Sequence, residues 1–345
     1  KYNYGLEPEG EGASLWFGSA IDDAITAMLE GKDSYLTIFS DKWFSSFRNK
    51  QPYNIFDNLD VNYAYSDFDE LVFNDEDFNN MKKWCDRLNL DDTDPIQTFK
   101  EVVKIKKNPY KNITENQLRY FSRCCWLSLK RKGELLIESF KEQVLPKIKK
   151  VHSTQGWGKI EDDSTGDKIV GKLDMVLDFE GYDKPIIFDL KTSARPYTQE
   201  QIELTEQLTL YAAMLGKNLN TNLVGYIVLV KNIPKVKEEY CSICGHKKEG
   251  RHKTCNSENS EGKRCNGEWT KVTKHKPEVQ IMVKEKSQEQ IDQLLLDYGN
   301  IIYAMKEKIV YKNTEKCNNW YGSVCPYYDA CHKNDFSKLR KKDRL

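Results

Sequence analysis

No stretch of the 345-residue chain approaches the roughly 18–20 consecutive apolar residues that span a bilayer. The opening residues, KYNYGLEPEG, carry neither the basic nor the apolar section of a secretory leader. These two absences predict a cytoplasmic protein with no membrane partner. An excess of charge is lacking as well: 53 Lys and Arg balance 53 Asp and Glu, so the overall field does not by itself argue for a polyanionic ligand. There is no internal repeat and no low-complexity tract, which argues against a solenoid or a disordered chain.

What is present suffices for a large folded core, since 345 residues make one big domain or two ordinary ones. The charge is unevenly spread. Residues 1–100 hold 20 acidic against 9 basic side chains, the acidic excess lying mostly in 57–94, whereas 100–150 is rich in Lys and Arg. That second stretch is either a patch for a polyanion or the solvated faces of helices.

Apolar spacing from Leu15 to Met28 predicts an amphipathic helix with Asp22 and Asp23 midway. Residues 33–112 are aromatic, acidic and irregular, as in an inserted helical subdomain or lid. ENQLRYFSRCCWLSLKRKGELLIESFKEQVLPKIKKV reads as two helices parted at Gly133, with Pro146 near the end of the second. After His152 the period becomes that of strands, with KIVGKLDMVLDF and PIIFDLKTS joined by a turn at 181–184. QEQIELTEQLTLYAAMLGK is helical by spacing, with Gly216 as its stop. LVGYIVLVKN is strand-like and PEVQIMVKEK can pair with it. A last helix covers roughly 288–309.

The two strands at 168–193 each carry a carboxylate, Asp174 and Asp189, within an otherwise apolar run. Burying an unpaired carboxylate costs several kcal/mol or more, so something should offset it. A hairpin around Gly181 would bring the two together, and Lys191, two residues after Asp189, projects from the same face. Two oxygen ligands beside an ammonium suit a hard divalent ion and phosphodiester hydrolysis. The competing account is an Asp189–Lys191 ion pair at a strand end.

Taken in order, G-x-x-D at Gly171–Asp174, D-x-K at Asp189–Lys191 and Q-x-x-x-Y at Gln207–Tyr211 resemble the PD-(D/E)xK nuclease superfamily, in its RecB-like branch. FGSAIDDAI is similar to that branch's first motif, G-x-x-x-H, with Asp22 where the histidine usually stands. The resemblance covers about 15–30 and 155–310. It implies Mg2+ or Mn2+ held by Asp22, Asp174, Asp189 and the Leu190 carbonyl, with Lys191 positioning the water. It also implies that Gln207 and Tyr211 steady the site or touch DNA. Their other reading is a helix face packed on a sheet.

Ten cysteines in a chain without secretory features point to metal ligation before disulfides. Cys241, Cys244, Cys255 and Cys265 follow C-x2-C, ten residues, C, nine residues, C, among Gly, Lys, Asn and Ser residues that make no core of their own. This predicts a structural Zn2+ site resembling a zinc ribbon. Cys85, Cys124 and Cys125 read as packing residues. Cys317, Cys325 and Cys331 resemble the C-terminal iron–sulfur ligands of RecB-like nucleases, although Cys317 is eight residues before Cys325 where three are usual. An iron–sulfur cluster and packed thiols both stay open for this group.

The fold class expected is α/β, a restriction-endonuclease-like core of mixed central sheet flanked by helices, with a helical insertion and a zinc-ribbon insertion. Its expected parts are 1–32 (first core helix), 33–150 (helical subdomain), 151–232 (nuclease core), 233–272 (zinc ribbon) and 273–345 (end of the core and cysteine segment). By the resemblance the chain is a metal-dependent DNA nuclease, of exonuclease type, in recombination, repair or replication, in a prokaryotic cell or phage-infected host. Its partners would be DNA and other recombination or replication proteins. The rivals are a non-catalytic DNA-binding scaffold with a decayed site and an RNA-processing or CRISPR-adaptation nuclease of the same fold.

Overall fold

The computed structural model describes residues 6–8, 11–48, 51–56, 58–59, 61–63, 72–90, 94–107, 111–161, 166–258, 262–307, 309, 327–333, 335–337 and 339–341. Short strands β1 (Leu6–Pro8) and β2 (Glu11–Gly12) precede helices α1 (Ala13–Leu29) and α2 (Tyr35–Phe44). A small hairpin, β3 (Ser45–Arg48) and β4 (Gln51–Asn54), and the short β5 (Val61–Asn62) lead to helices α3 (Asp75–Arg87), α4 (Pro95–Lys107) and α5 (Glu115–Gln143). Then come β6 (Ile148–Glu161), β7 (Lys168–Phe179), β8 (Ile186–Ser193), α6 (Gln199–Glu203), α7 (Glu206–Leu219) and β9 (Leu223–Val230). The hairpin β10 (Lys235–Cys241) and β11 (Trp269–His275) is followed by β12 (Glu278–Glu285), α8 (Gln288–Lys306), α9 (Tyr328–Lys333) and β13 (Leu339–Lys341).

The central sheet has five strands in the order β12-β9-β8-β7-β6. β8 and β9 are parallel, joined through α6 and α7 as a crossover connection requires, and the other neighbours are antiparallel. Alternation along the strands divides the core in two. Phe188, Ile227 and Leu229 pack with α1, α2 and α5, whereas Ile187, Val224 and Val228 pack with α7 and α8. The mixed sheet flanked by helices, with a cysteine-rich hairpin beside it, is the α/β architecture expected.

Side chains from the 33–112 stretch, among them Phe39, Trp43, Met81 and Phe99, lie in the same apolar cluster as α1, α5 and one face of the sheet. Cys85, Cys124 and Cys125 are buried there as packing residues. The stretch Glu115–Gln143 is one helix rather than two. Gly133 does not break α5 but faces Phe39, whose Cζ lies 2.1 Å from where a Cβ would stand, so the glycine serves the close approach of two helices. Thr114 and Gln117 form the capping box that opens α5.

Two further expectations are corrected. The 199–219 stretch is two helices meeting at Leu204 and Thr205, and Gly216 lies inside α7. The stop is Asn220, in the left-handed conformation (φ 50°), and Gly216 is small because the Thr221 carbonyl passes 2.6 Å from its would-be Cβ. β6, at the sheet edge, is an added strand that apolar alternation does not announce in IKKVHSTQGWGKIE.

Candidate active site

The β7–β8 ladder runs from Leu177↔Ile186 to Met175↔Phe188 and stops one residue short of Asp174 and Asp189. Where the strands fork, the Leu190 N–H donates to Asp174 Oδ2 (2.8 Å) instead of to a backbone carbonyl. Strict alternation also slips here, because Leu173 and Val176, three residues apart, both belong to the α7-side cluster. A fork and a slip at one point free a carboxylate from the sheet without leaving the Leu190 N–H unpaired.

β8 continues beyond the fork beside β9, where Asp189 registers with Tyr226 and Lys191 with Val228. Asp189 and Lys191 share the face that looks toward α7. Lys191 Nζ lies 2.6 Å from Asp189 Oδ2, a close ion pair with a buried oxygen. From α7, Gln207 Nε2 donates to Asp189 Oδ1 (2.9 Å) and to the Tyr211 hydroxyl (2.7 Å), and its Oε1 accepts from Lys191 (3.2 Å). The Tyr211 hydroxyl passes the chain on to the Lys172 carbonyl (2.9 Å). Gln207 and Tyr211, one helical turn apart, therefore bind the site's side chains as well as packing on the sheet.

Asp22 comes from α1, far away in sequence. Gly18, one turn earlier on the same helix, sets α1 against β8, with Thr192 Oγ1 3.4 Å from its would-be Cβ. Asp22 Oδ2 accepts from Gln155 Nε2 (2.8 Å), and Oδ1 is buried without a hydrogen-bond partner. Gln155 holds φ at +50° within β6, an uncommon conformation for a non-glycine residue. Sequence reasoning missed it. Its surroundings, STQGWG, show no alternation, and nothing in the sequence marks a glutamine there as a partner for Asp22.

The electrostatics follow from burial. Burial first, then the neighbouring Asp174 charge, push Asp22 up to about 6 against the hydrogen bond from Gln155. Burial raises Asp174 as well, opposed by the Leu190 N–H. Burial also pushes Asp189 up to about 6, with Lys191 opposing and Asp174 adding to the rise. Burial pulls the Lys191 ammonium down, but the Asp189 and Asp174 carboxylates outweigh it and leave it raised. Each carboxylate is thus held off its ordinary ionisation chiefly by desolvation.

These groups meet the chemistry of a hard cation. Asp22 Oδ1 is buried without a hydrogen-bond partner among the described residues and Asp189 Oδ2 is buried against the Lys191 ammonium, and carboxylate oxygens of this kind suit Mg2+ or Mn2+. The three carboxylates do not close into one tight shell, each being held by its own donor: Gln155, the Leu190 N–H, or Gln207 with Lys191. Among the described residues, the group of three or more candidate ligands gathered within 4.8 Å is the cysteine set.

That set is Cys241, Cys244, Cys255 and Cys265. Cys241 and Cys265 Sγ lie 3.5 Å apart and Cys244 and Cys255 Sγ 3.6 Å, near the edge of about 3.8 Å that four thiolates have around one zinc at ~2.3 Å. Cys241 ends β10, and Gly267 passes so close to it that a Cβ would lie 2.4 Å from its sulfur. The cluster is consistent with a zinc site. Cys317 and Cys325 lie outside the described residues, as does the side chain of Cys331, whose backbone lies in α9.

A mixed α/β sheet forks here to present carboxylates beside a half-buried lysine, with α7 holding both. The chain belongs to the PD-(D/E)XK nuclease superfamily, whose profile matches residues 98–332, about two thirds of its length. Asp174, Asp189, Lys191, Gln207 and Tyr211 lie inside that match and Asp22 lies before it. A nuclease family implies a nucleic-acid substrate. A search of the curated proteins finds no match. Among the described residues no helix is long and apolar enough to cross a membrane.

Proposed function

We propose that this chain is a Mg2+- or Mn2+-dependent deoxyribonuclease of the RecB-like branch, an exonuclease serving DNA recombination, repair or replication. The observation that carries the reading is the unbroken set of contacts from Asp189 through Lys191, Gln207 and Tyr211. It joins the D-x-K and Q-x-x-x-Y motifs into one site within the matched region.

Asp22, Asp174 and Asp189, with the Leu190 carbonyl, would hold the cation. When bound, such an ion lowers the pKa of a water and offsets charge on the phosphate and leaving oxygen. The protein's own groups do the rest. Lys191 is anchored on one side by Asp189 and on the other by Gln207 Oε1, so its remaining N–H can orient the attacking water and face the phosphate. Gln207 fixes the Asp189 carboxylate through Oδ1, and Oδ2, which faces the Lys191 ammonium, would turn to the cation when one is bound. Tyr211, tied to the Lys172 carbonyl, keeps α7 and β7 in register beneath this set. Cys241, Cys244, Cys255 and Cys265 would carry Zn2+ in a structural role, as four thiolates leave no open position.

The test is cleavage of end-labelled linear duplex, single-stranded and circular DNA, and of RNA, with magnesium or manganese. The expected result is degradation from the ends of linear DNA with circles spared, and a loss of about 10²-fold or more in Lys191→Ala and Asp189→Asn. Inactivity of the native chain on every substrate would favour a DNA-binding scaffold, and preference for RNA would reassign the substrate.

A further inference from the structure

β6 and β7 extend past the fork as a two-stranded arm whose faces differ sharply. Toward α7 the register pairs are Gly156↔Leu173, Gly158↔Gly171 and Ile160↔Ile169. A Cβ on Gly158 would lie 2.9 Å from Met214 Cβ and one on Gly171 3.1 Å from Met214 Sδ, so this face is pressed against the helix that carries Gln207 and Tyr211. The intervening pairs, Trp157↔Lys172, Lys159↔Val170 and Glu161↔Lys168, take the opposite, outer face. Trp157 is 72 % exposed and Val170 62 %. A one-residue slip that buried Trp157 would drive it into Met214, so the glycines hold the indole outward.

This outer face adjoins the candidate active site. Trp157 is two residues from Gln155, which holds Asp22, and Lys172, opposite the indole, is fixed through its carbonyl by Tyr211. Lys159 and Lys168 share Glu161 (3.6 and 3.1 Å), whereas Lys172 forms no ion pair within 4 Å among the described residues, although its charge reaches Asp22 and Asp174. An exposed indole with an apolar neighbour and an ammonium directly across the ladder matches a nucleotide with its base stacked and its phosphate paired. A base within a duplex already has both faces covered, so the partner fitted is an unpaired one.

We infer that the outer face of the β6–β7 arm is a stacking platform for an unpaired nucleotide of the strand being cut, with Trp157 under the base and Lys172 on a neighbouring phosphate. The inference rests on the nuclease reading above for the identity of that strand.

The test measures binding of labelled oligothymidylate by the full-length chain, with calcium in place of magnesium, across a range of salt. Trp157→Ala should weaken binding at least about fivefold and Trp157→Phe much less. Lys172→Ala should lower the salt slope by about one. A single abasic residue moved along the oligonucleotide should reproduce the Trp157→Ala loss at one position in the native chain and cost nothing further there in Trp157→Ala. Unchanged binding by Trp157→Ala, or an abasic penalty that persists in it, overturns the platform. So does a change of oligomeric mass in Trp157→Ala with oligonucleotide binding intact, which would assign the indole to self-association. Absent cleavage by the native chain alongside Trp157-dependent binding sinks the nuclease reading and leaves the platform standing.

Discussion

Asp189 is 2 % exposed and yet ionisable, and its surroundings hold it at about 6 instead of the ordinary 3.8. For a group so deeply buried, such a shift corresponds to on the order of 3 kcal/mol. The sign is that of a raised carboxylate. The folded chain binds the proton more tightly than the unfolded one, so the contribution favours folding below about pH 4 and is lost as pH climbs through about 6. Asp22 acts in the same direction over the same window. A divalent cation that binds these oxygens should restore what ionisation removes. Thermal unfolding with zinc retained should therefore show a larger rise in Tm on adding manganese at pH 7.5 than at pH 5, and the difference should shrink in Asp189→Asn. An equal gain at both pH values would show that manganese stabilises the chain elsewhere. The two strand carboxylates and Lys191 were legible in the sequence because each interrupts an apolar run that offers no reason for charge. Gln155 was not, since its importance comes from a backbone angle and from a helix more than a hundred residues away in the chain.

At the scale of elements, the glycines decide how closely the parts approach. Alanine is better than glycine in a helix by about 1 kcal/mol, so Gly133→Ala in the middle of α5 should stabilise if propensity ruled. The Phe39 ring instead fills the place of its Cβ, and overpacking of this kind costs about 1–3 kcal/mol. Gly133→Ala is expected to lower stability in denaturant titration, with part of the loss recovered when Phe39→Leu is added. A stabilised Gly133→Ala would refute the packing account. The same residues explain which elements the sequence announced. β8, β9 and β12 are apolar enough to read directly, and the turn at Gly181, with φ at +84°, reads from its composition. The break at Leu204–Thr205, the end of α7 at Asn220 and the single long α5 were hidden. Glycine is ambiguous in one dimension: Gly133 and Gly216 look like stops, whereas each accommodates a neighbour that only the folded chain brings near.

For the whole molecule, the strand carboxylates and the clustered thiols stand on different elements of one framework. Asp174, Asp189 and Lys191 stand at the forked end of the central sheet, and thiols gather on the β10–β11 hairpin, inserted between the paired strands β9 and β12. The hairpin's two strands are further tied by ion pairs of Lys274 with Glu238 (3.7 Å) and Lys271 with Glu239 (4.0 Å), but its exposed, polar sequence supplies little core. Metal analysis of the purified chain should give about one zinc per molecule, and Cys244→Ser or Cys255→Ser should lose it and make residues 235–275 sensitive to protease. Full zinc retention in both variants would refute the four-thiolate site. The order of motifs along the chain announced the superfamily that the match over 98–332 shows. The placement of Trp157 on the outer face of the arm could not be foretold, because it depends on the pairing of β6 with β7 and on the packing of both against Met214.

The central claim is that Asp22, Asp174 and Asp189 serve one cation beside Lys191. Anomalous scattering from crystals soaked in manganese tests it most directly. The account predicts a peak within about 2.5 Å of oxygens from all three carboxylates, absent from Asp189→Asn crystals. A peak held by only one of them, or no peak at this end of the sheet in a chain that still cleaves DNA, would contradict it.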